Sequence, residues 1–124
     1  MNRLILALIA SIMTAAPAFA IYDYRDAATS TAVASGTSDV AAVAAAVDLR
    51  LLGFSVKEDA GSSAAAEFII RNGTSTAGAA VVYVKLSANE SCRDFFGEQG
   101  IACPLGIFVD RISGTTAISV YSKQ

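Results

Sequence analysis

The sequence predicts an all-β protein, an antiparallel β-sandwich or jelly roll with an extended N-terminal arm. Residues 49–124 form a series of short apolar runs separated by glycine-containing turns at intervals of about ten residues, which is typical of antiparallel sandwiches. Within the runs apolar and polar positions alternate, the period of a half-buried strand. The length of 124 residues allows one such domain with a modest core.

Residues 1–20 have the pattern of a secretory signal. Arg3 supplies a positive start, residues 4–13 form an apolar run, and Pro17 breaks any helix before an Ala-x-Ala site that ends at Ala20. Such a signal would direct the protein to the periplasm or outside the cell, with cleavage after Ala20. The alternative is an apolar arm that packs against a neighbouring subunit. In either case the run is too short for a stable membrane span, which needs about 20 apolar residues.

Residues 21–46 form a lead-in that is rich in small residues. Most of it shows no clear period and predicts an extended arm or an edge strand. Around its end Val40, Val43, Ala44 and Val47 follow helical spacing, but an alternating run begins directly afterwards. We therefore expect at most a short helical turn before the first strand of the sandwich.

The β-sandwich domain is expected over residues 47–124. Its strands are predicted at residues 47–57, 64–71, 79–86, 106–112 and 117–121, with a short segment around Phe95 and Phe96. The run at residues 79–86 is apolar on both faces, which favours a central strand. The apolar positions of these strands predict a core of Leu51 or Leu52, Phe54, Phe68, Ile70, Val82, Val84, Phe108, Ile112 and Val120.

The composition argues against several functions. The chain has no histidine, only 16% charged residues and a net charge of -2, so direct binding of nucleic acid is not expected. The carboxylates at Glu58 and Asp59, and at Glu90, Asp94 and Glu98, match neither a calcium loop nor an acid–base pair. We therefore predict no catalytic, cofactor-binding or metal-binding residues, and a protein that is not an enzyme.

Cys92 and Cys103 are candidates for a disulfide. The spacer between them contains Gly97 and Gly100, so the chain is flexible enough to fold back. Closing a loop of this size stabilises a fold by roughly 3 kcal/mol when the geometry is unstrained. The alternative, in a reducing cytoplasm, is two inert buried thiols.

Adjacent phenylalanines at Phe95 and Phe96 indicate a surface contact. In a strand they would point to opposite faces, so one would enter the core and the other would meet solvent or a second subunit; a loop that buries both is the alternative. A chain this small leaves apolar faces to be covered by association. The residues predicted to form such an interface are Val40, Val43, Val47, Phe95, Phe96 and Ile101.

The C-terminal part of the chain resembles a known group of proteins. The segments that carry the resemblance are residues 49–58, 64–74, 90–91, 95–97, 100–101, 106–109 and 113–115. Their order is similar to that of the small β-sandwich virion proteins of tailed bacteriophages, which sit on heads or tails. The resemblance implies a repeated structural or decoration protein of the virion, held by contacts with capsid or tail subunits and with copies of itself.

Two functions are therefore carried forward. The first is a non-enzymatic structural or decoration protein of a bacteriophage particle that acts through subunit contacts. The alternative is a secreted or periplasmic β-sandwich module that binds a surface glycan or protein, as the signal-like start and the cysteine pair suggest.

Overall fold

The computed structural model describes residues 28–62 and 64–124, and this part of the chain consists of strands and connecting turns. The expectations for residues 1–20 lie outside it. The strands are β1 (Thr29–Gly36), β2 (Val40–Val43), β3 (Arg50–Glu58), β4 (Ala66–Asn72), β5 (Ala79–Leu86), β6 (Ser91–Phe95), β7 (Ile101–Ala102), β8 (Ile107–Ser113) and β9 (Thr116–Lys123).

The strands form two antiparallel sheets packed face to face, which confirms the predicted β-sandwich. Sheet A has the order β1-β9-β3-β6, with β7 pairing β3 beside β6, and sheet B has the order β2-β8-β4-β5. Strands β1 and β2 follow each other in sequence but belong to different sheets, so the chain crosses between the sheets after Gly36. This crossing closes one side of the sandwich.

The core lies between the sheets and contains most of the predicted residues. Phe54 from sheet A meets Phe68 from sheet B edge to face, with ring centroids 5.9 Å apart. Leu51, Ile70 and Val120 are fully buried beside them. The alternation of β3, β4 and β9 directs these side chains inward, as predicted, and Val82 and Val84 pack partly buried against the same cluster.

Strand β8 departs from the prediction because it contains a bulge. Phe68 pairs with Arg111 and Glu67 pairs with Ser113, so Ile112 is an extra residue without a partner on β4. The inward position is therefore taken by Arg111, and Ile112 is 51% exposed instead of belonging to the core. Phe108 is buried, but it pairs with Arg71 on the outer face of sheet B.

The lead-in belongs to the sandwich. Strand β1 pairs with β9 along one edge of sheet A, and β2 pairs with β8 along one edge of sheet B. Val33 is buried in the core, and Val40 and Val43 pair with residues of β8, so the stretch with helical valine spacing is a short strand. Among the described residues the sandwich therefore includes β1 and β2, which lie before the expected boundary at residue 47.

Strand β5 lies at the edge of sheet B, although its sequence favours a central strand. It pairs with β4 and has no second neighbour among the strands of the described residues. Two residues explain the apolar character of its second face. Tyr83 is exposed, and Val81 is the extra residue at a bulge between the pairs of Ile70 and Arg71, where it packs partly buried against the core. Alternation alone does not distinguish this arrangement from a central strand.

A buried arginine holds the crossing between the sheets. Arg111 donates from Nη2 to the carbonyl oxygen of Ala34 (2.7 Å), from Nη1 to that of Ser38, and from Nε to the hydroxyl of Thr116 (3.0 Å). Its own backbone N–H donates to Asp39 (2.7 Å). Burial lowers the pKa of Arg111, and the nearby Asp39 carboxylate opposes that shift.

The same end of the sandwich contains a second polar tie. The buried carboxylate of Glu58 accepts the N–H groups of Ala60 (2.7 Å) and Asn89 (3.1 Å), and so joins the turns that follow β3 and β5. We call this the polar end. The opposite end, where the chain enters β1, is called the entry end.

Candidate functional site

Four of the predicted interface residues pack against the core. Val40, Val43 and Ile101 are partly buried against it, and the ring of Phe96 lies 6.2 Å from that of Phe54. These side chains hold the two sheets together and present little surface to a partner. A charge at Val43 or Phe96 would therefore destabilise the sandwich itself, instead of acting only on assembly.

The other two predicted interface residues are exposed. Val47, in the turn after β2, is 90% exposed, and Phe95, at the end of β6, is 60% exposed. Phe95 points outward while Phe96 packs against Phe54, so the expectation that the two phenylalanines face opposite ways is confirmed. Val47 and Phe95 remain candidates for contact with another molecule.

A third exposed hydrophobic residue, Leu105, was not predicted. It lies in the turn between β7 and β8 and is 62% exposed. Cys103 N–H donates to the Leu49 carbonyl (2.8 Å), which joins this turn to the one that carries Val47. An apolar residue between Pro104 and Gly106 was the available sequence signal, because a turn leaves its side chain in solvent.

Val47 and Leu105 together define a surface that we call the apolar end patch. They have the highest exposed fractions among the exposed large hydrophobic residues of the described chain. Both lie at the entry end, the end of the sandwich at which β1 starts.

A second surface, which we call the aromatic cleft, lies on the outer face of sheet A. Gly53 pairs with Phe95 on one side and with Tyr121 on the other, so both aromatic side chains flank a position without a side chain. A Cβ atom at Gly53 would lie 2.4 Å from the Asp94 carbonyl oxygen, so the close approach of β6 requires glycine here. Phe95 and Tyr121 line an open depression of about 370 Å³ together with Arg93 and Asp94.

Polar groups lie on the same face, two residues further along β3 from Gly53. Ser55 pairs with Arg93 on β6 and with Ser119 on β9, and its hydroxyl lies 3.1 Å from that of Tyr121. Arg93 is exposed and makes no hydrogen bond or ion pair within the described residues. The cleft thus combines two aromatic rings, two hydroxyl groups and one unengaged guanidinium.

The outer face of sheet A is basic, although the whole chain has a net charge of -2. By strand alternation, Arg50, Lys57, Arg93 and Lys123 point to this side. Arg50 donates to the Gln99 carbonyl (3.0 Å), and Lys57 lies 4.0 Å from Asp59. Arg93 and Lys123 are the cations of this face that have no partner within the described residues.

The two cysteines do not form the expected disulfide. Both are free thiols, at opposite ends of β3: Cys92 pairs with Val56, whereas Cys103 bonds the backbone of Leu49. Val56 and Leu49 are seven residues apart along the chain, which corresponds to about 20 Å of strand. A disulfide needs Cα atoms about 4.4 to 6.8 Å apart. The loop between the cysteines does not fold back, because β6 and β7 continue along β3 in one direction.

Alkylation should distinguish the two thiols. Cys103 is fully buried and burial raises its pKa, so less of it is thiolate at a given pH. At pH 8 iodoacetamide should modify the partly exposed Cys92 first and reach Cys103 only after unfolding, with both thiols alkylated in denaturant. Peptide mass spectrometry measures this order, and a peptide that links Cys92 to Cys103 would contradict it.

The described residues contain no cluster of three or more histidine, cysteine, aspartate or glutamate side chains that could hold a metal ion. Within the same residues, each buried side-chain nitrogen or oxygen has a hydrogen-bond partner. The described part of the chain also has no helix of the length and apolarity that a membrane crossing requires. The apolar end patch and the aromatic cleft are the two surfaces of the described residues considered below.

Comparison with family models, with curated proteins and with solved structures gave no match.

Proposed function

We propose that the protein is a non-enzymatic structural or decoration protein of a bacteriophage particle, and that the apolar end patch contacts capsid or tail subunits. The observation that carries the proposal is the position of Val47 and Leu105 on two joined turns, at the end where the chain enters β1. Single exposed hydrophobics are common on protein surfaces, whereas neighbouring ones mark contacts.

The contrast between the two ends supports an end-on attachment. The polar end is tied by Arg111 and Glu58, which satisfy the turns internally. The entry end has the two most exposed large hydrophobic side chains of the described residues, Val47 and Leu105, and burying each of them against a partner contributes about 1.5 to 3 kcal/mol. The order of segments that resembles small virion proteins agrees with such a role, and self-association through the same patch belongs to this proposal.

The proposal predicts that charge at the patch prevents incorporation into particles. A double variant, Val47→Asp with Leu105→Asp, should enter particles roughly tenfold less than the unchanged chain, because at least 1.4 kcal/mol of apolar contact is lost. The measurement is the copy number of each variant per particle, by quantitative mass spectrometry of particles purified after co-expression with a tagged unchanged chain.

Ile112→Asp is the matched control. Ile112 is 51% exposed but lies on β8 close to the polar end, so its charge should leave incorporation unchanged. Thermal unfolding of all variants should occur within a few degrees of the parent, since none of these side chains supports the core. Equal incorporation of the double variant and the control would refute the role of the patch.

The second candidate is a secreted or periplasmic module that binds a surface glycan or protein. The signal-like pattern of residues 1–20 and the aromatic cleft favour it. Mass analysis of the protein from its native cells tests this candidate, because cleavage after Ala20 would leave Ile21 as the first residue.

A further inference from the structure

We propose that the aromatic cleft of sheet A binds an acidic glycan, a carbohydrate whose rings carry carboxylate groups. The cleft consists of Phe95, Tyr121, Gly53, Ser55 and Arg93. This proposal does not depend on attachment to a particle, because the cleft and the apolar end patch share no residue. A decoration protein and a secreted module could both use it.

The spacing of the two strands that carry Phe95 and Tyr121 leaves room for one sugar ring. Phe95 and Tyr121 stand on either side of Gly53, so their backbones are separated by two strand spacings, about 10 Å. Two aromatic rings that contact each other lie about 4.5 to 7 Å apart. A ring placed between them at contact distances of about 3.5 to 4 Å on each side needs about 7 to 8 Å, which this arrangement can provide.

The hydroxyl groups give the cleft a polar side. Ser55 and Tyr121 hydroxyls lie 3.1 Å apart, and each keeps further capacity to donate or accept a hydrogen bond. A sugar ring also has an apolar part and a polar part, because C–H groups lie on its faces and hydroxyl groups lie around its rim. Aromatic faces with a few well-placed polar groups are the usual composition of small-ligand sites.

The charge of the face selects an acidic sugar. Arg93 stands beside the hydroxyls with no partner within the described residues, and a guanidinium binds a carboxylate through two parallel hydrogen bonds. The acidic side chain nearest the cleft is Asp94, whose Oδ1 accepts the N–H of Phe95 (2.9 Å). Asp94 lines the same depression as Arg93, but its carboxylate accepts that backbone N–H, so Arg93 is the charged side chain of the depression that has no partner within the described residues.

A single-stranded nucleic acid is the competing ligand, since it also uses aromatic rings and cations. Such a strand needs a basic groove that follows several phosphates, about 4 or more nucleotides per domain. On this face Arg50 and Lys57 already have partners, which leaves Arg93 and Lys123. Two separated cations and one cleft suit a few carboxylates better than a continuous phosphate backbone.

The test is a titration of the full chain with trigalacturonic acid, monitored by backbone amide shifts in NMR spectra. The proposal predicts saturable shifts centred on Gly53, Ser55 and Tyr121, with binding in the millimolar range or tighter. The methyl ester of the same trisaccharide, which lacks the charge, should bind roughly tenfold more weakly at low salt.

Two variants separate the contribution of the aromatic ring from that of the guanidinium. Phe95→Ala should lower the affinity roughly tenfold for both the acid and its ester, because it removes one stacking face. Arg93→Gln should abolish the preference for the acid while leaving the ester unchanged. Tyr83→Ala, which removes an exposed aromatic ring from the outer face of sheet B, is the matched control and should have no effect.

The outcomes that would overturn the proposal are specific. They are the absence of saturable shifts at about 10 mM trisaccharide, binding that neither Phe95→Ala nor Arg93→Gln alters, and tighter binding of an oligothymidylate of eight nucleotides at the same residues. The double variant Val47→Asp with Leu105→Asp should keep full affinity for the trisaccharide, so failure of the cleft and failure of the end patch would be seen separately.

Discussion

Replacement of Phe68 by alanine should lower the free energy of unfolding by about 3 to 5 kcal/mol. Phe68 is fully buried, and its ring packs edge to face on Phe54 of the opposite sheet, so the substitution leaves a cavity at the centre of the sandwich. Because small domains have a total stability of about 5 to 15 kcal/mol, the variant should be unfolded or close to it at 37 °C. Urea unfolding monitored by circular dichroism measures the change.

Phe95→Ala is the matched control for this variant, since it makes the same chemical change at a side chain that is mostly in solvent. Its effect should stay below about 1 kcal/mol. If the two variants unfolded at similar urea concentrations, the inward and outward assignment of β4 and β6 would be incorrect.

Replacement of Arg111 by methionine should lower the free energy of unfolding by about 2 to 4 kcal/mol. Methionine fills much of the same volume, so the loss comes mainly from the hydrogen bonds to Ala34, Ser38 and Thr116. Each buried carbonyl left without a donor costs about 1 to 3 kcal/mol, and water can satisfy the more exposed ones. The crossing between the sheets should open locally, which hydrogen exchange over residues 34–39 would detect.

Arg93→Met provides the comparison for Arg111. Arg93 is exposed and has no partner within the described residues, so its replacement should change stability by no more than about 0.5 kcal/mol. Unaltered hydrogen exchange at the crossing in the Arg111 variant would show that the guanidinium does not hold the two sheets together.

The sequence predicts the β-sandwich and much of its core because inward and outward positions alternate regularly in β4, in β9 and in β3 from Gly53 onward. Local alternation cannot reveal a bulge, and the extra residue in β8 exchanges the faces of Arg111 and Ile112. It also cannot show how many neighbours a strand has, which is why the apolar β5 was expected at the centre of a sheet. The lead-in was too rich in small residues to show the period of β1.

The candidate site was less accessible to prediction than the fold. Phe95 and Val47 stand out because a large apolar residue next to a turn has no obvious place in the core. The aromatic cleft depends on the register that aligns Phe95, Gly53 and Tyr121 across three strands, and residues so far apart in sequence give no local signal. The cysteines are a similar case. They are close in sequence, but they lie at opposite ends of β3, and their spacing along the chain gives no sign of this separation.

The most direct measurement of the central claim is the protein content of particles purified by density gradient from an induced lysate of the strain that carries the gene. Quantitative mass spectrometry should find the unchanged chain in a fixed ratio to the major capsid or tail protein, and this ratio should survive a high-salt wash because the proposed contact is apolar. Particles without the chain, with the protein instead in the periplasm or the medium and beginning at Ile21, would contradict the claim.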